Sequence, residues 1–311
     1  MTGLAAIADR PLSPPRSMAA RMARRFLQHR LAVTSLAFLV LLALAALAAP
    51  LVEHALGVDS GTTNLFARFA EPSAAHPLGT DELGRDVLAR LLRGGRVSLA
   101  VGLAAAVFAA AIGTALGLMA GYFGGRLDAF LMRFTDGVIA LPLLPLLIVL
   151  AAVDLEKLGL SADLAQSGDV SLYRIIVIIA LFGWTQVARL VRAEALRLRA
   201  REFVTAARAM GASPWRIMAV HILPNAISPI IVATTLSMGS IILFESTLSF
   251  LSFGIQPPMA SWGSMLTNAQ EAIFSAPMLA VWPGLAIFLT VIAFNFLGDG
   301  LQDALDPRAV E

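Results

Sequence analysis

Long apolar blocks alternate along this chain with shorter polar connectors. Apolar residues run almost unbroken over 31–52, 98–122, 134–153, 171–190, from about Ala226 to Phe250, and over 278–298. Each block is about 20 residues or a little more, the length at which a helix rising 1.5 Å per residue crosses a hydrocarbon core of about 30 Å. The pattern therefore predicts an all-α polytopic membrane protein with six transmembrane helices. A transmembrane barrel would show period-two alternation in segments of about ten residues, which this chain lacks. The first block exceeds the roughly 7–15 apolar residues of a signal-peptide core, and no small-residue cleavage site leads into a soluble domain, so it reads as a retained span.

The connectors orient the spans. Arg10, Arg16, Arg21, Arg24, Arg25 and Arg30 crowd the first 30 residues, Arg126 and Arg133 follow the second block, and seven more arginines fall between Arg189 and Arg216. The loop after the third block instead holds Asp154, Glu156, Asp163 and Asp169, with Lys157 the single lysine of the chain. Positively charged loops stay on the cytoplasmic side, which places both termini inside. One loop is an exception: Arg85, Arg90, Arg93 and Arg96 lie in the outer segment 53–97, offset by Asp81, Glu82 and Asp86. The organisation is a cytoplasmic tail (1–30), a first span with its outer segment (31–97), a permease core (98–300) containing a long cytoplasmic loop (189–225), and a C-terminal tail (301–311).

Local patterns add detail. Leu83, Val87, Leu88, Leu91 and Leu92 fall on one helical face, which predicts an amphipathic helix on the outer membrane surface, stopped by Gly94-Gly95, with Ser98 capping the next helix. Gly113, Gly117, Gly121 and Gly125 form a four-residue-spaced stripe that permits close helix approach, within the bundle or to a partner subunit. Pro142 and Pro145 predict a kink in the third span.

Composition narrows the chemistry. The chain is 58% hydrophobic and 14% charged, with no cysteine. That excludes disulfides, thiolate metal sites and cysteine nucleophiles. No G-x-x-x-x-G-K-[S/T] phosphate loop, H-E-x-x-H helix or G-x-S-x-G elbow occurs, so the sequence offers no site for P-loop ATP hydrolysis, zinc proteolysis or serine hydrolysis. An ionisable group inside a span is a functional candidate by default. Glu245 and Asp136 are such groups, and together with Trp262 of the last outer loop they are candidates for a pore or gate. A proton- or ion-coupled secondary transporter is the alternative class. Such a carrier usually has more buried charges, and it has no use for a long cytoplasmic loop.

That loop reads as two short helices. Gly211 fits a helix end, Ser213 an N-cap and Pro214 the first helical position. A connector of about 35 residues with this much order calls for a partner. Ala206, Ala207 and Gly211 are small enough for another protein's groove to close over them.

The loop resembles the signature of ABC importer permeases: Glu-Ala-Ala, three residues, Gly, nine residues, Ile-x-Leu-Pro. Ala206-Ala207, Gly211 and Leu223-Pro224 stand in register, while Thr205 replaces the Glu and His221 the Ile. Both departures are similar to the dipeptide/oligopeptide branch, as are three further stretches: His76 to Asp86, Glu245 to Gly263, and Leu297 to Pro307. In that branch the chain resembles the second, C-type permease. The resemblance implies the type I ABC importer permease fold, with Glu202, Thr205, Ala206, Ala207, Arg208, Gly211, Ser213, Arg216, His221, Leu223 and Pro224 forming a coupling-helix segment that docks an ATPase. It implies as partners a homologous permease subunit, two ABC ATPase subunits, an extracytoplasmic solute-binding protein and the lipid bilayer of a bacterial inner membrane. It implies no nucleic acid, no resident cofactor and no catalysis by this subunit. The expected cargo is peptides; similar permeases carry nickel, haem, glutathione or sugars.

Overall fold

The computed structural model describes residues 18–305 apart from 166, 268 and 271. Arg10, Arg16 and the tail from Asp306 to Glu311 lie outside the described residues. The described residues are helical nearly throughout. A short helix α1 (Met18–Gln28) leads into α2 (Arg30–Leu47) and α3 (Ala49–Leu56), followed by a long loop and α4 (Val87–Phe123). The bent pair α5 (Gly125–Ala140) and α6 (Leu143–Ala151) comes next, then the short α7 (Ala162–Ala165) and the long α8 (Gly168–Arg199). Helices α9 (Glu202–Ala209) and α10 (Pro214–Arg216) precede a π turn over Ile217–Ile222, which opens into α11 (Leu223–Phe250). Helices α12 (Trp262–Leu266) and α13 (Met278–Leu305) complete the order.

Five helices are long and apolar enough to cross a membrane, and the bent pair makes a sixth crossing if counted as one. The six blocks read from the sequence thus correspond to α2, α4, α5–α6, α8, α11 and α13. Three boundaries differ from expectation. The outer amphipathic helix is not separate, because Gly94-Gly95 does not break the chain and α4 is continuous over 37 residues. These glycines make room: a Cβ on Gly94 would lie 3.1 Å from the Ser261 carbonyl carbon, and one on Gly95 3.0 Å from the Trp262 ring. The apolar face that resembled a surface helix is inner packing instead, with Val87 1% exposed and Leu91 against the Trp262 cluster.

The second difference is the size of the third-span kink. Leu141 is extended, as a residue before proline prefers, and Pro142 starts a new helix, so α5 and α6 meet at 83°. The third concerns α8 and α11, which both run past their predicted inner ends.

Three glycines of the stripe lie between α4 and α8, the most extensive helix pair, whereas Gly125 falls outside it, at the start of α5 with nothing within 4 Å of an added Cβ. Added Cβ atoms at Gly113, Gly117 and Gly121 would lie 2.5 Å from Trp184 O, 2.6 Å from Ala188 O and 2.5 Å from the Ala195 Cβ. The contact is therefore within this subunit. Arg199 closes the C-terminal end of α4 by donating from Nη1 to the Gly121 and Tyr122 carbonyls, at 3.0 and 3.3 Å, where α4 leaves acceptors unpaired.

Helix α13 returns along α2, so the described ends of the chain meet. His29 caps α2 by accepting from Ala32 N at 3.1 Å, and its Nε2 lies 3.7 Å from Asp303. The arginines that depart from the charge pattern are mostly neutralised. Arg85 pairs with Asp81 (2.7 Å) and Glu82 (3.0 Å), Arg90 with Asp81 (3.3 Å), and Arg93 with Glu53 (2.6 Å). Three of the four thus carry a carboxylate partner, which offsets much of the positive charge of that loop.

Candidate docking element

Helix α9 is short and tied to the bundle along one face only. Glu202 sits in its first turn and Arg208 in its last, the signs that the helix dipole favours at each end. Val204 (0% exposed) and Ala207 (2%) turn inward onto Leu198, Ile217, Met218 and Ile222. The expectation that Ala207 faces a partner is thereby corrected: it anchors α9 to its own chain. Arg208 lies over the Tyr122 ring at 5.6 Å, linking α9 to the C-terminal end of α4.

The turn after α9 closes with two bonds, Gly211 N to Arg208 O and Ala212 N to Ala207 O, both 3.0 Å. This is a Schellman pattern, and it needs a left-handed residue at Gly211, whose φ is +82°. A Cβ there would meet nothing within 4 Å, so glycine is required by the backbone rather than by crowding. Ser213 then caps the next helix through Arg216 N at 3.4 Å, with Pro214 in its first turn. The second helix does not stop. It passes through the π turn, where Leu223 N donates to Met218 O, five residues back. Pro224 explains the widening: it has no N–H for Val220 O, and its ring crowds that carbonyl.

Glu202, Thr205, Ala206, Arg208, Gly211, Ser213, Arg216 and Pro224 are exposed, while His221 and Leu223 are half-buried. Around this small-residue centre stand three apolar side chains that sequence reasoning passed over: Phe203 (42% exposed), Met210 (81%) and Trp215 (65%). Their signal was visible as large apolar residues inside an arginine-rich loop. Aromatic and methionine side chains exposed beside small ones are what protein interfaces enrich.

The three pore or gate candidates fall apart in space. Asp136 is exposed and ion-paired to Arg189 of α8, not to the neighbouring Arg133. With Asp128–Arg192 it fastens α5 to α8. Trp262 is 1% exposed and donates from Nε1 to Leu91 O at 3.0 Å, so it is a packing wedge rather than a lining residue. Glu245 is fully buried and accepts from Ser249 Oγ (2.8 Å) and Ser98 Oγ (3.0 Å).

Residues 113–311 match the family model described as "binding-protein-dependent transport system inner membrane component", and residues 17–71 match the N-terminal transmembrane domain of oligopeptide transport permease C. The chain is 41% identical to the glutathione transport system permease protein GsiD of Pectobacterium atrosepticum, over 92% of this chain and 89% of that one. It is 38% identical to the oligopeptide transport system permease protein OppC of Bacillus subtilis, over 91% of this chain and 88% of the other. In three dimensions it is similar to a chain of the MetNI methionine ABC transporter in an inward-facing conformation, with a TM-score of 0.54 at 20% identity, covering 70% of this chain and 97% of that one. That likeness supports the type I fold. These findings displace the ion-coupled carrier alternative, and the chain belongs to the family of binding-protein-dependent transport system inner membrane components, as a permease subunit of an ABC importer.

Proposed function

We propose that this subunit forms half of an inner-membrane pathway for peptides, with both termini cytoplasmic, and takes its drive from ATPases docked on α9. A homologous permease completes the pathway, an extracytoplasmic binding protein delivers the cargo, and two ABC ATPase subunits hydrolyse the nucleotide. The subunit contributes no catalytic group and needs no resident cofactor; it acts as a bundle with two arrangements. Peptide cargo is the reading favoured by similarity, since the related permeases are named for oligopeptide, dipeptide and glutathione transport.

The observation that carries the docking assignment is the one-sided anchoring of α9. Val204 and Ala207 fix it to the bundle, while Ala206, Met210 and Gly211 face outward. Exposed arginines there, Arg208 and Arg216, suit an acidic partner surface and would raise association rate and specificity more than affinity. The test is co-purification of the ATPases with wild-type, Met210→Glu and Gly211→Glu subunits at matched expression, alongside uptake of tri-alanine. Both variants should insert normally, recover less ATPase and fail in uptake. Equal ATPase recovery with normal uptake would remove the docking assignment.

A further inference from the structure

Glu245 lies towards the outer end of α11, on the far side of the bundle from α9, and its hydrogen bonds come from serine hydroxyls. Oε1 accepts from Ser249 Oγ at 2.8 Å; Oε2 accepts from Ser98 Oγ at 3.0 Å and more weakly from Ser246 Oγ at 3.5 Å. Two of these hydroxyls have a second task. Ser98 Oγ accepts from Trp262 N at 3.2 Å, and Ser249 Oγ accepts from Ile255 N at 3.1 Å. The hydroxyl protons of Ser98 and Ser249 are held by the Glu245 carboxyl oxygens, so their lone pairs are free for the two backbone N–H groups of the outer loop 251–264.

The loop is seated closely on this cluster. A Cβ on Gly263 would lie 2.5 Å from the Ser246 backbone, and one on Gly254 would overlap Ser249. Gln256 N reaches Ser171 Oγ of α8 at 3.2 Å, and Trp262 reaches Leu91 of α4. The loop therefore touches α4, α8 and α11. Its exposed tip, Pro257-Pro258, stands between two surface cavities of about 280 and 460 Å³. From Glu245 the same helical rod runs back through the π turn to Pro214, beside the docking helix.

We infer that Glu245 is a positioning residue that clamps the outer loop 251–264 to α4 and α11, so that a displacement of that loop by the arriving binding protein is passed along α11 to the ATPase-docking end. The relay rests on the importer reading above; the clamp itself rests only on the hydrogen bonds. Replacing the carboxyl by an amide leaves one acceptor oxygen for two serine donors, so one serine must reorient and the loop N–H that it holds is weakened.

The test has two arms, both on the full complex in lipid nanodiscs. In hydrogen exchange, Glu245→Gln should speed exchange at the Ile255 or Trp262 amide about tenfold, Ser249→Ala should do so at Ile255, and Ser98→Ala at Trp262. In ATP hydrolysis, Ser98→Ala and Ser249→Ala should keep the basal rate within about twofold. They should lose most of the increment produced by binding protein loaded with a di- to pentapeptide mixture, and Ser249→Thr should restore it. A purely structural role would lower basal rate, assembly and stimulation together, and would overturn the relay. Unchanged amide exchange in all three variants overturns the clamp. A stimulated wild type with equally stimulated serine variants overturns the relay alone. An unstimulated wild type overturns the peptide-cargo reading and the relay with it, while the exchange arm still decides the clamp.

Discussion

The same substitution, glycine to alanine, should have opposite signs at two sets of positions in this bundle. At Gly117 the new Cβ would lie 2.6 Å from Ala188 O, 2.8 Å from Val191 Cβ and 3.0 Å from Arg192 N. Ordinary contact begins near 3.4 Å, so α4 and α8 must part by roughly 0.8 Å or bend. The atoms met are backbone and a β-branched carbon, which do not swing away. Overpacking of this kind costs about 1–3 kcal/mol, and the better helix propensity of alanine returns up to about 1 kcal/mol. The net loss is about 1–2 kcal/mol, or a few degrees in thermal midpoint for a chain of this size. Gly113→Ala on top should cost less than its single value, because the helices have already separated. Gly137 and Gly284 are helical glycines with nothing within 4 Å. There alanine should be neutral or stabilising by up to about 1 kcal/mol. Thermal unfolding of the purified subunit in one detergent, followed by tryptophan fluorescence, reads all four variants. If Gly117→Ala melted with Gly137→Ala, the close α4–α8 contact would be refuted.

Three further outcomes are expected. Gly211→Asn should retain more ATPase recovery than Gly211→Ala, since φ +82° strains alanine by about 1–2 kcal/mol whereas asparagine tolerates it; equal recovery would count against the Schellman turn. Hydrogen bonding from Arg93 holds the Glu53 carboxyl below its usual range. A depressed folded-state value contributes stability above the unfolded value of about 4.3 that is lost as pH falls through the folded one. The thermal midpoint of the wild type should therefore drop more between pH 6 and pH 3 than that of Glu53→Gln, and parallel drops would remove the pair from the stability of the outer segment. Reporter fusions at Gly61 and after Pro258 should both read outside, and an inside reading at either would break the six-crossing topology.

Much of this architecture was legible because bilayer length and arginine placement are local signals. The six crossings, the break at Gly211, the cap at Ser213 and the bend near Pro142 all follow from residues adjacent in sequence. The misread features depend on distant partners. Gly94-Gly95 looked like a helix stop because sequence does not show Trp262 arriving 167 residues later. Ala207 and Ala206 are neighbours of equal size, and only the packing of α9 on Ile217 decides that one is buried. Glu245 was visible as an anomaly in an apolar run, but its meaning lay in Ser98, 147 residues away. The excess of outer arginines likewise made sense only once Glu53 met Arg93 across 40 residues.

The continuity of α11 with the proposed docking segment has a mechanical consequence. From Pro214 to Phe250 the helix spans 37 residues, about 55 Å at 1.5 Å per residue. Such a rod works as a lever whose gearing depends on where it pivots. Pivoting near the π turn, a tilt of only about 10° carries the far tip, about 45 Å away, through roughly 8 Å. A pivot at mid-membrane would halve that travel and move both ends in opposite senses. A small displacement at the Pro214 end would thus be magnified at the other end, and the stiffness of one helix sets how faithfully the stroke arrives.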